Sequence, residues 1–309
     1  MKLATLNLGL LYHFFSKVPF YYWRKDHFAP SLHETLRNHE LDVVVLQELW
    51  KSEDVDLLEK EIESSYLVLR SPARWSERLG LVTLVRRDAN LQLSDHRTHL
   101  FRNFLGFNER AFHERITGFL RGYLITSLRD VWGNHFKIVN THLTPFEKNF
   151  RLRQRQLGSL SKNLKKDLQP KDILIIAGDM NHSTAYLKPK HRREALQILE
   201  SFLKEWRLQD PTAQLETFVP ARNSIAGGIY WGNDGKGLCL DRIWIGPRTH
   251  IDVEGEARLF ADKPIGKNSD GRELHVSDHF GVELSVRLKG ALQQPLLSHE
   301  APQEHPRTY

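Results

Sequence analysis

Six apolar runs in this chain each meet a side chain that can hold a metal ion, a proton or a phosphate. Leu3-Ala4-Thr5-Leu6 ends at Asn7, and Val43-Val44-Val45-Leu46-Gln47 ends at Glu48. Ile138-Val139-Asn140-Thr141 ends at His142, and Ile173 to Gly178 ends at Asp179, with Asn181 two residues on. Asp241 opens the run Arg242-Ile243-Trp244-Ile245, and Ser277-Asp278-His279 stands directly before Phe280 to Leu284. Short runs of β-branched and aliphatic residues read as buried strands, and the polar group follows where the strand reaches the sheet edge. One carboxylate at such a point is usually a cap, and one histidine a hydrogen-bonded structural residue. Six junctions carrying hard oxygen donors and two histidines exceed what capping requires.

Between the junctions, strands alternate with helices, which predicts an α/β fold. Ser31 with Glu34 three residues later reads as a capping box opening a helix that carries Leu32, Leu36 and Leu41. A second helix is predicted over Glu53–Ser64, followed by strands at Tyr66–Leu69 and Leu79–Val85. Tyr123–Leu128 and His135–Asn140 read as a hairpin around Trp132-Gly133-Asn134. A basic helix spans Lys148–Lys166, with Arg151, Arg153 and Arg155 read as a solvated face, and a further helix covers His191–Trp206. Four stretches stand apart. Residues 12–28 are rich in aromatic rings, and 95–121 interleave phenylalanine with arginine and read as irregular. Residues 227–237 form a glycine-rich loop holding Tyr230 and Trp231, while 247–276 are mostly polar.

The chain has 309 residues, 40% of them hydrophobic and 27% charged, enough for one sizeable core. One domain is expected over 1–288, with a polar, proline-containing tail at 289–309 expected to be disordered. A formal net charge of +6 favours anionic partners such as nucleic acid, anionic lipid or phosphorylated small molecules. The single cysteine, Cys239, excludes an internal disulfide and argues against a thiolate metal site. No stretch approaches the roughly 18 apolar residues of a membrane span. Met1-Lys2 and the apolar residues after it look like a secretory leader, but Asn7 interrupts them and no small-residue cleavage site follows. The segment is read as the first strand, and the protein as a cytoplasmic monomer.

Taken in order, N…QE…NTHL…GDMN…LD…SDH resembles the endonuclease/exonuclease/phosphatase (DNase I-like) superfamily over residues 1 to about 288. The resemblance implies a four-layer sandwich, two mixed β-sheets face to face with helices outside, whose strand ends gather at one mouth. By motif, Glu48 is similar to the principal metal ligand, with Asn7 and Asp278 beside it. Asp179 resembles the residue that positions or deprotonates the attacking water, and Asn181 the amide that holds a phosphoryl oxygen. His279 resembles the catalytic histidine, with Asp241 fixing its tautomer, and His142 the second histidine on the phosphate. The role of His279 as acid, base or charged clamp is left open. Arg121, before a strand, resembles a substrate-contact position. Hard oxygen donors without cysteine suit Mg²⁺ or Mn²⁺, which would polarise the phosphoryl group and help the leaving oxygen depart.

For the substrate, Leu46-Gln47-Glu48-Leu49-Trp50 and the aromatic stretch before it look like the neutral-sphingomyelinase-like branch. That implies phospholipase C-type cleavage of sphingomyelin or a related phospholipid, with segments 12–28 and 95–121 resting at a membrane surface. The aromatic-tipped hairpin of secreted sphingomyelinases is absent from 247–276, where Phe260 is the only aromatic residue. A DNA or RNA nuclease is the rival, with the basic helix along the backbone and Tyr230 and Trp231 stacking on bases. A non-catalytic binding module would have no reason to hold both Asp179 and His279. The expectation is therefore a divalent-metal-dependent phosphodiesterase, with lipid ahead of nucleic acid.

Overall fold

In the computed structural model the apolar runs pair into two stacked sheets. The structure describes residues 1–10, 27–70, 79–101, 121–185, 187–229, 236–267, 271 and 273–289. Most of segments 12–28 and 95–121, together with Tyr230, Trp231 and nearly all of the tail, lie outside these residues. The first sheet runs β10 (Ile251–Phe260), β13 (Gly281–Leu288), β1 (Lys2–Asn7), β2 (Val43–Gln47), β4 (Val82–Arg86) and β3 (Tyr66–Arg70) in spatial order. The second runs β5 (Leu91–Leu100), β6 (Gly122–Asp130), β7 (His135–His142), β8 (Ile173–Asp179) and β9 (Asp241–Gly246). Both sheets are mixed: β1–β2 and β7–β8 pair parallel, the other pairs antiparallel. A separate two-stranded ribbon pairs β11 (Gly266–Lys267) with β12 (Glu273–Leu274).

Alternation along the strands builds the four layers. On β1, Leu3 faces the second sheet and, with Val43 of β2, joins the cluster that holds Ile138 and Ile175. Ala4 and Leu6 face outward, under helices α1 (Phe28–His39) and α2 (Ser52–Ile62). On the other side Tyr123, Val139, Ile176 and Trp244 are covered by α3 (Phe150–Asp167) and α4 (Pro189–Glu205). The architecture is the sandwich that the motif order implies. No helix among the described residues is long and apolar enough to cross a membrane.

Helix α1 begins at Phe28, so Ser31 is inside its first turn and not its cap. Phe28, Leu32 and Leu36 form one buried stripe, and burial of Phe28 carries the helix past the local capping signal. The strand expected at Leu79–Val85 occupies Val82–Arg86. Strands β5 and β10, in stretches read as irregular or merely polar, are sheet edges with many half-exposed positions.

The gap between the sheets is largely apolar, and a chain of buried amides crosses it. Asn140 on β7 donates from Nδ2 to the carbonyls of Leu46 (3.1 Å) and Val82 (2.9 Å), on β2 and β4 of the other sheet. Its Oδ1 accepts from Gln47 Nε2 at 2.9 Å, and Gln47 also reaches Thr5 Oγ1 at 3.2 Å. All three side chains are fully buried. Removing Asn140 strands two carbonyls and an amide in a dry gap, where each unsatisfied group costs about 1–3 kcal/mol. Asn140→Ala is expected to lower unfolding free energy by about 3 kcal/mol in urea titration. A loss below about 1 kcal/mol would mean that the bridge contributes little to holding the sheets together.

Candidate active site

Register brings the six junctions to one edge. On the second sheet His142 pairs with Asp179, and Asp179 pairs with Asp241, so three reactive side chains stand on three adjacent strands. On the first sheet Asn7 pairs with Gln47, which places Glu48 one residue beyond the end of β2. Asp278 and His279 lie just before β13, which runs antiparallel to β1 with Thr5 opposite Val282. Asn7 Nδ2 crosses between the sheets to donate to Asp179 Oδ2 at 3.0 Å. Asn7, Glu48, His142, Asp179, Asn181, Asp241, Asp278 and His279 thus share one buried mouth.

The chain bends sharply to aim these groups. Glu48 (φ 64°) and Asn181 (φ 48°) adopt the left-handed region, which costs a non-glycine residue about 1–3 kcal/mol unless its surroundings hold it there. Asn181 is held at both ends: its N–H donates to Asp179 Oδ1 (2.8 Å) and its Nδ2 to the Leu143 carbonyl (3.0 Å). Gly178 (φ +145°) lets β8 pass Thr141, whose carbonyl oxygen would stand 1.9 Å from any Cβ there. Gly9 likewise leaves room for Asp278, whose Oδ1 would lie 1.8 Å from a Cβ.

Charge is distributed unevenly across the mouth. His279 Nδ1 lies 2.8 Å from Oδ2 of the fully buried Asp241. Burial pulls the imidazole downward, but Asp241, and then Asp278 and Asp179, hold it at about 10, so it is a cation at neutral pH. Thr217 Oγ1 accepts from the N–H groups of Leu240 and Asp241 at 3.1 Å each, and its carbonyl accepts from Phe280 N, tying the two partners together. Burial, reinforced by Asp241, raises the Asp179 carboxyl to about 6. Burial and then Asp278 raise Glu48 to about 7, and Glu48 Oε2 has no hydrogen-bond partner. His142 Nε2 lies 3.5 Å from Asp179 Oδ2 and 3.9 Å from Glu48 Oε1.

Among the described residues, Asp179, Asp241 and His279 bring three potential ligand atoms within 4.8 Å of one another, a group that could hold a metal ion. A protonated imidazole bonded to Asp241 is a poor ligand, whereas Glu48 and Asp278 repel each other across a site of hard oxygen atoms.

Arg121, which resembles a substrate-contact position, is buried, and its guanidinium lies 5.7 Å from the ring of Trp50, which in turn stands 6.2 Å from the His142 ring. Several other contributors escape the motif reading. Ser277 Oγ bonds the Asn7 carbonyl and accepts from His279 N at 3.0 Å, tying the end of β1 to the residues before β13 within the first sheet; its place in Ser-Asp-His was the available signal. Thr217 carries no sequence signal. Arg153 lies on the buried face of α3, 2% exposed, and donates to the carbonyls of Thr144 (2.9 Å) and Phe146 (2.7 Å). With Gln156, which bonds both the N–H and the hydroxyl of Thr144, it clamps the loop that follows His142.

The chain's place among known proteins follows from this frame. A model of the endonuclease/exonuclease/phosphatase family matches residues 4–279. The chain belongs to this family. Its members are metal-dependent phosphoesterases. No curated protein sequence matches the chain. Among solved structures, D. rerio TDP2 complexed with single strand DNA product superposes with a TM-score of 0.64 at 17% identity, covering 93% of this chain and 98% of that one. Beta toxin from Staphylococcus aureus gives 0.65 at 19% identity over 92% and 99%. A mannosyl-6-phosphatase from Bacteroides thetaiotaomicron gives 0.67 at 15% over 93% and 99%. Likeness at such identities shows the shared fold.

His182, next to Asn181, is buried beside Arg153 and Arg242. Burial and then these two cations push it down to about 3. A base held below its ordinary 6.5 takes up protons in the unfolded chain first. Its contribution to stability is therefore present above about pH 6.5 and lost as pH falls toward about 3. His182→Gln is expected to lose less stability than wild type between pH 7 and pH 5 in urea titrations. Parallel losses in the two proteins would contradict this account.

Proposed function

We propose that the protein is a divalent-metal-dependent phosphodiesterase in which water attacks a phosphodiester held at the mouth of the sandwich. The observation that carries this reading is the convergence in one buried mouth of His279, locked by Asp241 at 2.8 Å, with the carboxylates of Glu48, Asp278 and Asp179. The histidine suits a phosphoryl oxygen and the carboxylates a metal ion.

The residues fit a metal. Glu48 has a buried, unpartnered carboxylate oxygen, and its nearest charges include other carboxylates. Glu48, with Asn7 and Asp278, would hold Mg²⁺ or Mn²⁺, which supplies positive charge to the phosphoryl and leaving oxygens. The remaining chemistry is assigned to the chain itself. Asp179, held near neutrality and oriented by Asn7 and Asn181, accepts a proton from the attacking water at Oδ2. His279 serves as a charged clamp, since a proton held at about 10 is retained through the neutral range. His142 stands on the same face, beside Asp179. Asn181 has a second amide N–H with which to hold a phosphoryl oxygen.

Asp179→Ala and His279→Ala are each expected to reduce Mg²⁺-dependent hydrolysis of bis-p-nitrophenyl phosphate by about 10³-fold or more. Circular dichroism should remain unchanged. Near-normal turnover in both variants would remove the site assignment. In the same preparations, millimolar Mg²⁺ should raise the thermal midpoint of wild type and fail to raise that of Glu48→Gln. Equal shifts would place the ion elsewhere.

A further inference from the structure

Strand β9 closes the second sheet, so among the described residues no further strand pairs with its outer edge. On its inner side it meets β8, with Asp179 opposite Asp241. The strand is buried along its whole length, and buried N–H groups need partners. The segment between α4 and β9 supplies them one at a time. The Gln209 carbonyl accepts from Ile245 N at 3.1 Å, and Thr212 Oγ1 from Ile243 N at 3.0 Å. Thr217 Oγ1 accepts from Asp241 N at 3.1 Å. Alternate residues of β9 are thus held by a ladder whose last rung, at the mouth, is Asp241. Thr212 and Thr217 are both fully buried.

That last rung differs from the other two. Thr217 Oγ1 also accepts from Leu240 N at 3.1 Å, and the Thr217 carbonyl accepts from Phe280 N at 2.6 Å. Phe280 follows His279, so one residue grips the chain beside both members of the pair. Its hydroxyl oxygen holds the Asp241 side and its carbonyl the His279 side. The ring of Phe218 meets the His279 ring at 61°, with centroids 5.2 Å apart. Between these grips runs the 2.8 Å contact of His279 Nδ1 with Asp241 Oδ2. It joins a side chain of the second sheet to one that precedes β13 of the first, so register within either sheet does not set its length.

We infer that Thr217 is a positioning residue, holding the Asp241 and His279 main chains at the spacing that their side-chain bond requires. For its catalytic consequence the inference rests on the phosphodiesterase reading. Replacing the Thr217 oxygen by a methyl group leaves two buried N–H groups unpaired. The Asp241 main chain is then free to drift, and the imidazole loses its fixed direction. A displaced clamp costs turnover more than affinity, because its charge counts most in the transition state. A second role is separable from this one. Leu238, which bonds Thr217 and Phe218 through its main chain, and Leu240 line a cavity of about 710 Å³ beside Asn181. The other walls of that cavity come from the loop before α3 and the beginnings of α3 and α4. Were shaping this wall the role of Thr217, its loss would appear in KM.

Thr212 supplies the control, because its oxygen serves the same edge further from the mouth. Thr217→Val, Thr217→Ser and Thr212→Val are compared with wild type in Mg²⁺-dependent hydrolysis of bis-p-nitrophenyl phosphate, in urea unfolding and in proton NMR at neutral pH. The NMR reads the downfield imidazole N–H proton that His279→Ala removes. Both valine variants are expected to unfold at lower urea concentration. Thr217→Val alone should lose about 30-fold in kcat, with KM within about threefold of wild type, and Thr217→Ser should recover most of the loss. The imidazole proton should broaden or move upfield in Thr217→Val and stay in place in Thr217→Ser and Thr212→Val. Equal kcat in the two valine variants, or a loss confined to KM, would overturn the inference and leave Thr217 as cover for the strand edge. A serine variant as slow as the valine one would trace the effect to the methyl group and overturn it too. Wild type without turnover would sink the phosphodiesterase reading, and the imidazole proton would still decide whether Thr217 holds the pair. Should Thr217→Val fail to fold, Thr217→Ala takes its place with the same readouts.

Discussion

Everything at the mouth of this protein depends on polar bonds that cross between its two sheets. Asn7 reaches Asp179, and Asn140 reaches the main chain of β2 and β4 while receiving Gln47. Two sheets in apolar contact alone could slide or tilt with little change in buried area, because that attraction has no direction. Hydrogen bonds in a dry gap have direction and a high cost of breaking. They fix the sheets in register, and register brings His142, Asp179 and Asp241 into one row facing Glu48.

The electrostatics follow from that fixed geometry. Carboxylates collected in a buried mouth raise one another's affinity for protons, and the cations that offset them include Arg121, which acts on Glu48, and His279, held by a carboxylate from a different strand. Such a mouth is intrinsically short of positive charge. A phosphodiester alone would be repelled by it, and a hard dication alone would be attracted. On the proposed phosphodiesterase reading, the arrangement favours taking both together, with His279 as the fixed positive charge on the phosphate side.

The parts of this design legible in the sequence were those written as runs. Buried strands must be apolar along their length, so their ends were visible, and the polar residues at those ends could be ordered into a motif. The helices also came through, apart from the start of α1, where burial of Phe28 outweighed the local Ser31–Glu34 signal, and a short helix at Ser224–Ile229, whose last residues were read as glycine-rich loop. Edge strands β5 and β10 were hidden because one side of each meets solvent and tolerates polar residues. Arg153 was hidden for a different reason. Composition suggests a solvated arginine, and only the fold places it against three loop carbonyls. Thr217 belongs to the same class, since its value lies in where its oxygen falls.

The reacting groups stand on strand ends, while the cavity beside them is built from a loop and the beginnings of two outer helices. These regions answer to different structural demands. A change at Phe146, Lys148 or Lys188 touches no sheet register, whereas a change at Asn7 or Asp179 disturbs both sheets at once. Substitutions in the loop and helix starts can therefore reshape the cavity wall while the row of strand-end side chains keeps its register.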